Sequence, residues 1–297
     1  MKEMIEGKII RGVGGFYYVH DGIQSVIECR ARGGFRRQEI KPLVGDNVRI
    51  ILTEEDPGCG RIETIEPRKN ELIRPAVANI DQALIVVAAA RPAFHTGLLD
   101  RFLLWMSSQS IPVLIGISKT DLDENGEKQA QIRSSYEKAG YPIFAFSTET
   151  GRGLEELEAE LRGKTTVLAG ASGVGKSTLL NRLLAENVME TGDVSRKLGR
   201  GRHTTRHAEI FCFAPESFLC DTPGFTALDL PELEAEALKD YYEEFRGLEE
   251  KCAFRDCLHG REKGCAVRAA AEEGRIPAAR YESYCHLLEE FRSRKKY

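Results

Sequence analysis

The sequence predicts a multidomain α/β protein in three parts. Three observations predict it: short β-type runs separated by turn residues up to about residue 68, apolar strands alternating with helical stretches to about residue 230, and a charged helical remainder interrupted by clustered cysteines. With 297 residues the chain has room for two or three domains that each bury a core. The expected boundaries are 1–68, 69–230 and 231–297.

The first part contains EGKIIRG, FYYVHDG, SVIECRA, DNVRIIL and GRIETIE, five short segments of strand character. Five such strands point to a small barrel, and the OB-fold, which often binds RNA or DNA, is the usual five-stranded answer. Between two of the runs Arg30, Arg32, Arg36, Arg37 and Lys41 surround Gly33, Gly34 and Phe35, with Glu39 the only acid. A mobile basic loop with one aromatic can track a phosphate backbone and stack a base, so Arg30, Arg32, Phe35, Arg36, Arg37 and Lys41 are candidate RNA contacts. The alternative is a solvated loop.

In the middle part ALIVVAAA (residues 83–90) reads as a buried strand and IPVLIGIS (111–118) as the next one. Between them LLDRFLLWMSSQ is a helix with Leu98, Leu99, Phe102, Leu103 and Met106 on one face. A polar helix over 124–140, a strand over 142–146 and the helix GLEELEAEL follow. Residues 164–169 then form a short apolar strand and residues 177–186 have helical spacing, so GASGVGKST sits in the strand–loop–helix setting of a P-loop. Such a loop wraps phosphates in backbone N–H groups at a helix N-terminus, where the dipole favours negative charge. Gly170, Ala171, Ser172, Gly173, Val174, Gly175, Lys176, Ser177 and Thr178 are therefore expected to bind nucleotide, with Lys176 reaching the β- and γ-phosphates and Ser177 holding magnesium.

Ser118, Lys119, Thr120 and Asp121 follow directly on an apolar strand, where an α/β sheet presents loops to ligand. A carboxylate there accepts hydrogen bonds from N1–H and the exocyclic amine of guanine, a pair of donors that adenine lacks, so Asp121 is the expected guanine selector and Lys119 lays its stem along the base. GTPases usually carry Asn where Ser118 stands, and its shorter side chain is expected to hold the P-loop or the base less well. Ser147 and Thr148 fit the loop that closes over the guanine. Asp221 ends an apolar strand in the sequence DTPG, placing it to orient magnesium and the Gly224 N–H to meet the γ-phosphate. The next residue, Phe225, cannot position an attacking water as the Gln of many GTPases does. In LGRGRHTTRH, Thr204 or Thr205 is expected to bind magnesium and the γ-phosphate, and His203 is the candidate to position the water. Contact with RNA remains open for His203 and for Arg200, Arg202 and Arg206, as does a transition-state role for one of these arginines.

Cys252, Cys257, His259 and Cys265 offer three thiolates and an imidazole within CAFRDCLHGREKGC, a set that suits tetrahedral zinc and leaves no open catalytic position, so a structural zinc is expected. Cys29, Cys59, Cys212 and Cys220 fall in strands and read as small core residues. The N-terminal MKEMIEGKII has acids where a signal peptide needs its apolar run, and the longest apolar run, residues 83–90, is far below the ~18 residues that span a bilayer. A cytoplasmic location without membrane attachment is expected, with the eight cysteines reduced or bound to metal. The net charge of -4 argues weakly against a general nucleic-acid binder but permits local basic patches.

The base-binding cluster precedes the phosphate-binding cluster, the reverse of a conventional GTPase, which implies a circularly permuted P-loop GTPase domain. With that order, and with NELIRPAVANIDQ (residues 70–82), GASGVGKST, RGRHTTRH and DTPGF, the whole chain resembles the ribosome small subunit-dependent GTPase A (RsgA) family. The resemblance implies an N-terminal OB-fold barrel, a permuted GTPase domain and a C-terminal, mainly helical zinc-binding domain. It further implies hydrolysis of GTP to GDP and phosphate, slow alone and switched on by the small ribosomal subunit, as a timer late in that subunit's maturation, with contact to its rRNA. A monomer is expected. Two rivals stand beside this reading: a nucleotide-gated RNA-binding scaffold with incidental hydrolysis, and an ATPase or kinase using the same P-loop.

Overall fold

Alternating apolar residues and glycine turns produce five N-terminal strands, β1 (Met4–Val13), β2 (Phe16–His20), β3 (Val26–Ala31), β4 (Asn47–Leu52) and β5 (Cys59–Ile65), with the short helix α1 (Gly33–Arg37) after β3. In the computed structural model they form a closed barrel in the order β1-β2-β3-β5-β4, with β4 pairing back onto β1, so the expected OB-like barrel is present. Its core is Ile9, Val19, Cys29, Phe35, Val48, Ile50 and Ile62. The structure describes residues 4–23, 25–37, 40–53, 59–73, 76–191, 208–221 and 230–294, with backbone alone for 36, 37 and 186–191.

A two-stranded ribbon, β6 (Glu71–Ile73) and β7 (Ala76–Ala78), leads to β8 (Gln82–Ala88). Then follow α2 (Thr96–Ser108), β9 (Val113–Ser118), α3 (Glu127–Tyr136), β10 (Ile143–Ala145), α4 (Leu154–Leu161), β11 (Thr165–Ala169), α5 (Lys176–Thr191), β12 (Glu209–Ala214) and β13 (Ser217–Asp221). The six-stranded sheet runs β10-β9-β8-β11-β13-β12. β9 and β10 are parallel, as are β11 and β13, whereas β12 and β13 form an antiparallel hairpin. Buried on both faces, β8, β9 and β11 are near-continuous apolar runs, as strands in the middle of an α/β sheet must be.

The chain forms two compact units, residues 1–84, 154–169 and 175–225 in the first and residues 85–153, 170–174 and 226–297 in the second. In the first unit the barrel rests on the β12–β13 hairpin: the Glu216 amide donates to the Gly22 carbonyl at 2.8 Å and the His20 ring meets Phe218 edge-on at 5.7 Å. In the second, 3-10 turns at Ala235–Tyr241, Glu243–Phe245 and Glu249–Lys251 precede α6 (Ala266–Glu272) and α7 (Ala278–Ser293), packed around Leu238, Phe245, Val267, Tyr284 and Leu288. Among the described residues no helix is long and apolar enough to cross a membrane.

Candidate nucleotide site and metal centre

The phosphate loop begins where the buried strand β11 ends. Gly170, Gly173 and Gly175 have φ of +132°, +80° and +101°, conformations that residues with a Cβ rarely adopt, which is why the turn needs glycine at these three places. Gly170 is tighter still, because a Cβ there would lie 2.2 Å from the Val86 carbonyl oxygen. A Gly170→Ala variant is expected to lose about 1–3 kcal/mol to backbone conformation alone, with more from the clash, and to bind nucleotide poorly. Thermal unfolding and nucleotide titration check this, and a variant as stable and as competent as the parent refutes it. The Leu179 amide donates to the Gly175 carbonyl at 2.9 Å, starting α5, whose first turn carries Lys176 and Ser177. Burial pushes the Lys176 ammonium below the usual lysine range, and the Asp221 carboxylate opposes that shift. Asp221 stands at the end of β13, in register with Leu168 of β11, beside the strand end from which the P-loop departs.

In the second unit β9 delivers Ser118, 2% exposed, beneath the loop. Its Oγ lies 2.6 Å from the Val174 carbonyl and 3.1 Å from that of Val87, and its single proton can serve one of them at a time. The expected weaker hold of a serine is therefore not a missing one: the hydroxyl reaches the P-loop at close range. Lys119, in the left-handed region at φ 56°, donates from Nζ to the Gly173 and Arg91 carbonyls, each at 2.6 Å. Asp121, exposed in the turn Thr120–Leu122, accepts at Oδ1 from the Ser147 hydroxyl at 2.5 Å. Ser147 is itself fully buried, its Oγ accepting from the Thr150 amide at 3.1 Å and its amide donating to Arg152, with Thr148 half-buried on the same turn. One oxygen of the Asp121 carboxylate is thus fixed by a side chain that is fixed in turn, the kind of support that orients a group for recognition.

Cys252, Cys257, His259 and Cys265 come together with their ligand atoms all within 4.8 Å of one another. His259 Nδ1 lies 3.5 Å from Cys252 Sγ and 3.6 Å from Cys265 Sγ, which identifies the ring nitrogen facing the thiols. Backbone amides of Ala266 and Arg268 donate to Cys252 Sγ and Cys265 Sγ at 3.3 and 3.4 Å. His259 takes a positive φ of 58° to enter the cluster. These four residues could hold a metal ion.

The sequence matches the RsgA N-terminal domain over residues 6–59 and the RsgA GTPase over residues 65–231. Over 294 residues it is 45% identical to the small ribosomal subunit biogenesis GTPase RsgA of Alkaliphilus metalliredigens, covering 99% of this chain and 100% of the relative. The protein of the same name from Geobacillus thermodenitrificans is 47% identical, with 98% and 99% covered. The chain belongs to the RsgA GTPase family. Two solved structures are similar over nearly the whole chain. YjeQ of Thermotoga maritima superposes with a TM-score of 0.82 at 35% identity, covering 99% of this chain and 100% of its own, and YloQ, described as a circularly permuted GTPase, with 0.78 at 37%, covering 99% and 97%.

Ser177 and Asp221 carry oxygen donors of the kind that suits a hard ion such as magnesium. His203, Thr204, Thr205 and Gly224 lie outside the described residues, as do Arg200, Arg202, Arg206 and Phe225. One expectation is corrected. Phe35 is not offered to a base: α1 turns its ring into the barrel core, leaving it 8% exposed. Arg30 and Arg32 are exposed, Arg30 over the Phe16 ring at 4.6 Å and Arg32 3.6 Å from Glu63. Lys41 is exposed, its carbonyl accepting from the Arg68 guanidinium at 2.7 Å, and the side chains of Arg36 and Arg37 lie outside the described residues. Sequence reading of this RsgA-family chain missed the Arg91 and Val87 carbonyls that brace Lys119 and Ser118, since backbone acceptors leave no side-chain signal.

Proposed function

We propose that this chain is a magnesium-dependent GTP hydrolase that acts on the small ribosomal subunit during its biogenesis and uses hydrolysis to time its release. The observation that carries the reading is the double tie from the guanine motif to the phosphate loop, Ser118 to Val174 and Lys119 to Gly173, beside an Asp121 oriented by Ser147. A base held at Asp121 is thereby referred to the same loop that holds the phosphates. The subunit comes from the name carried by the relatives.

Catalysis here is positioning and charge stabilisation. Backbone amides of the turn from Ser172 to Thr178 meet phosphate oxygens, and the Lys176 ammonium faces the charge that develops between the β- and γ-phosphates. Ser177, Asp221 and one of Thr204 and Thr205 would hold magnesium, which would supply positive charge to offset that developing on the phosphates. His203 positions the attacking water in place of the Gln that Phe225 replaces, and Gly224 meets the γ-phosphate. With Phe225 in place of that Gln, turnover is slow until the subunit completes the positioning of the water.

Zinc fits the cysteine cluster. Tetrahedral bonds of about 2.3 Å to sulfur and about 2.05 Å to nitrogen place sulfur and nitrogen about 3.6 Å apart, the separation seen at His259 Nδ1. Four protein ligands leave no open position, so the ion is structural. The three-part division at residues 68 and 230, contact of the barrel with rRNA, a monomeric state and a cytoplasmic location complete the proposal.

GTP hydrolysis measured with and without purified small subunits tests it. Stimulation of at least about tenfold is expected, with a His203→Ala variant binding GTP but failing to respond. Equal rates in both arms overturn the timer. The replacement of Gln by Phe225 favours one second reading, a nucleotide-gated scaffold in which hydrolysis is incidental, and release of His203→Ala protein from subunits at the normal rate would select it.

A further inference from the structure

Two helices of the second unit, α2 and α7, begin without a side-chain cap and with no acidic residue in their first turns. Among the described residues the first amides of α2 to find acceptors are those of Leu98 and Leu99, both on the His95 carbonyl at 3.2 Å. In α7 they are those of Arg280 and Tyr281, on the Pro277 carbonyl at 3.0 and 3.1 Å. The amides ahead of them are the orphan donors of a helix N-terminus, where the dipole favours negative charge. Thr96 and Gly97 from the start of α2 and Ala279 from the start of α7 line one cavity of about 220 Å³, many times the ~10–15 Å³ that admits a single water.

The rest of the wall carries a buried hydroxyl and a free charge. Ser283, 6% exposed, has a hydroxyl without a hydrogen-bond partner. Asp100 is near enough for that hydroxyl to favour its ionised form, but takes its bonds from Arg280 and Tyr136. Arg101 is committed to Glu290, whereas Glu282 is exposed and makes no ion pair among the described residues. An anion alone would meet the Glu282 carboxylate, and a cation alone would meet two helix N-termini. The cavity therefore suits a molecule that carries both charges.

We propose that this cavity binds a free α-amino acid. Its carboxylate takes the Thr96 and Gly97 amides and the Ser283 hydroxyl, its ammonium pairs with Glu282, and its side chain rests on Ala279 and Leu287. None of these residues belongs to the nucleotide or cysteine clusters, so the site goes beyond the proposed hydrolase. An occupant adds a tie between α2 and α7 to those that Arg101 makes with Glu290 and Asp100 with Arg280, so binding raises the thermal midpoint.

The test is calorimetric titration of the full chain with each common L-amino acid, with acetate, inorganic phosphate and methylamine as single-charge controls. At least one amino acid is expected to bind with a Kd of about 1 mM or tighter, and its N-acetyl and methyl ester derivatives at least about tenfold more weakly. Glu282→Gln should weaken the same amino acid about tenfold and Ser283→Ala about three- to tenfold. Thr96→Pro removes an amide and a hydroxyl yet suits the first position of a helix, because His95 before it is extended at φ -127° and ψ 110°, and it should also weaken binding about tenfold. Thermal midpoints without ligand show that each variant is folded. The proposal is overturned if no amino acid binds at about 10 mM, if acetate or phosphate binds as tightly as the best amino acid, if the N-acetyl derivative binds as well as its parent compound, or if the folded variants bind like the unmodified chain.

Discussion

An Asp121→Asn variant is expected to lose GTP affinity by roughly two to four powers of ten and to prefer a xanthine nucleotide. Hydrogen bonds to a charged acceptor are worth about 1.5–3 kcal/mol each, and on the proposed reading Asp121 would accept two of them from guanine. An amide in that place still accepts from the Ser147 hydroxyl that now holds Asp121 Oδ1, but turns an N–H donor toward a base edge that also donates. Xanthine, which has a carbonyl where guanine has its amine, offers that N–H an acceptor. Ser147→Ala should move GTP affinity in the same direction by about tenfold, because the carboxylate keeps its charge and loses only its orientation. Equilibrium titration with GTP, ATP and xanthosine triphosphate reads all of this. Unchanged GTP affinity in the Asp121 variant, or a parent that binds ATP as tightly as GTP, defeats the guanine assignment.

Much of this site was legible because its chemistry is local in sequence. A glycine turn between an apolar strand and an amphipathic helix can be read directly, and so can a carboxylate three residues beyond a buried strand such as β9. The inverted order of the two clusters was equally visible. Four metal-ligating side chains within fourteen residues announce themselves by type. Phe35 was misplaced for the opposite reason. Its neighbours are charged and its short helix has no periodicity of its own, while its burial depends on the open end of a barrel built from strands before and after it. Ser118 was judged by the length of its side chain, yet the closeness of Val174 is set by the path of the P-loop 56 positions later. The C-terminal part was expected to be mainly helical with a cysteine cluster interrupting it, and it is; what the sequence did not show is that the helix before the cluster is a series of 3-10 turns, since the cysteine–histidine cluster and aromatic packing shape so short a segment more than helix propensity does.

Arg280 is the residue whose loss should cost the fold most, and nothing in ALKDYYEEF or AARYESYCH marks it out. In sequence it is one more charge on a charged helix, but in the structure it is only 2% exposed. It donates to Glu244 Oε1 at 2.8 Å and pairs with Asp100 of α2, while Tyr136 donates to the same Asp100 oxygen at 2.8 Å. Tyr242 and Tyr136 flank the guanidinium at 4.4 and 5.2 Å. This cluster fastens α2 and α3 to the C-terminal helices within the second unit. Arg280→Leu leaves two buried carboxylates without their cation, a defect of about 3–5 kcal/mol and a fall in thermal midpoint of roughly 10 °C. The sign of the pH dependence follows from Asp100. Burial already pushes its carboxyl above the usual range against the pull of Arg280, and without that pull the folded-state value rises further. A group whose folded pKa exceeds its unfolded one favours the fold below the unfolded value and loses that contribution as pH rises through the folded one. The deficit of the variant relative to the parent should therefore narrow as pH falls from about 8 toward about 5. Adding Asp100→Asn to Arg280→Leu should recover part of the stability at neutral pH, because the neutral amide needs no cation. Chemical denaturation of the parent, the single and the double variant across that range decides it; a deficit that is constant with pH, or a double variant weaker than the single, means that the buried charge of Asp100 is not what Arg280 offsets.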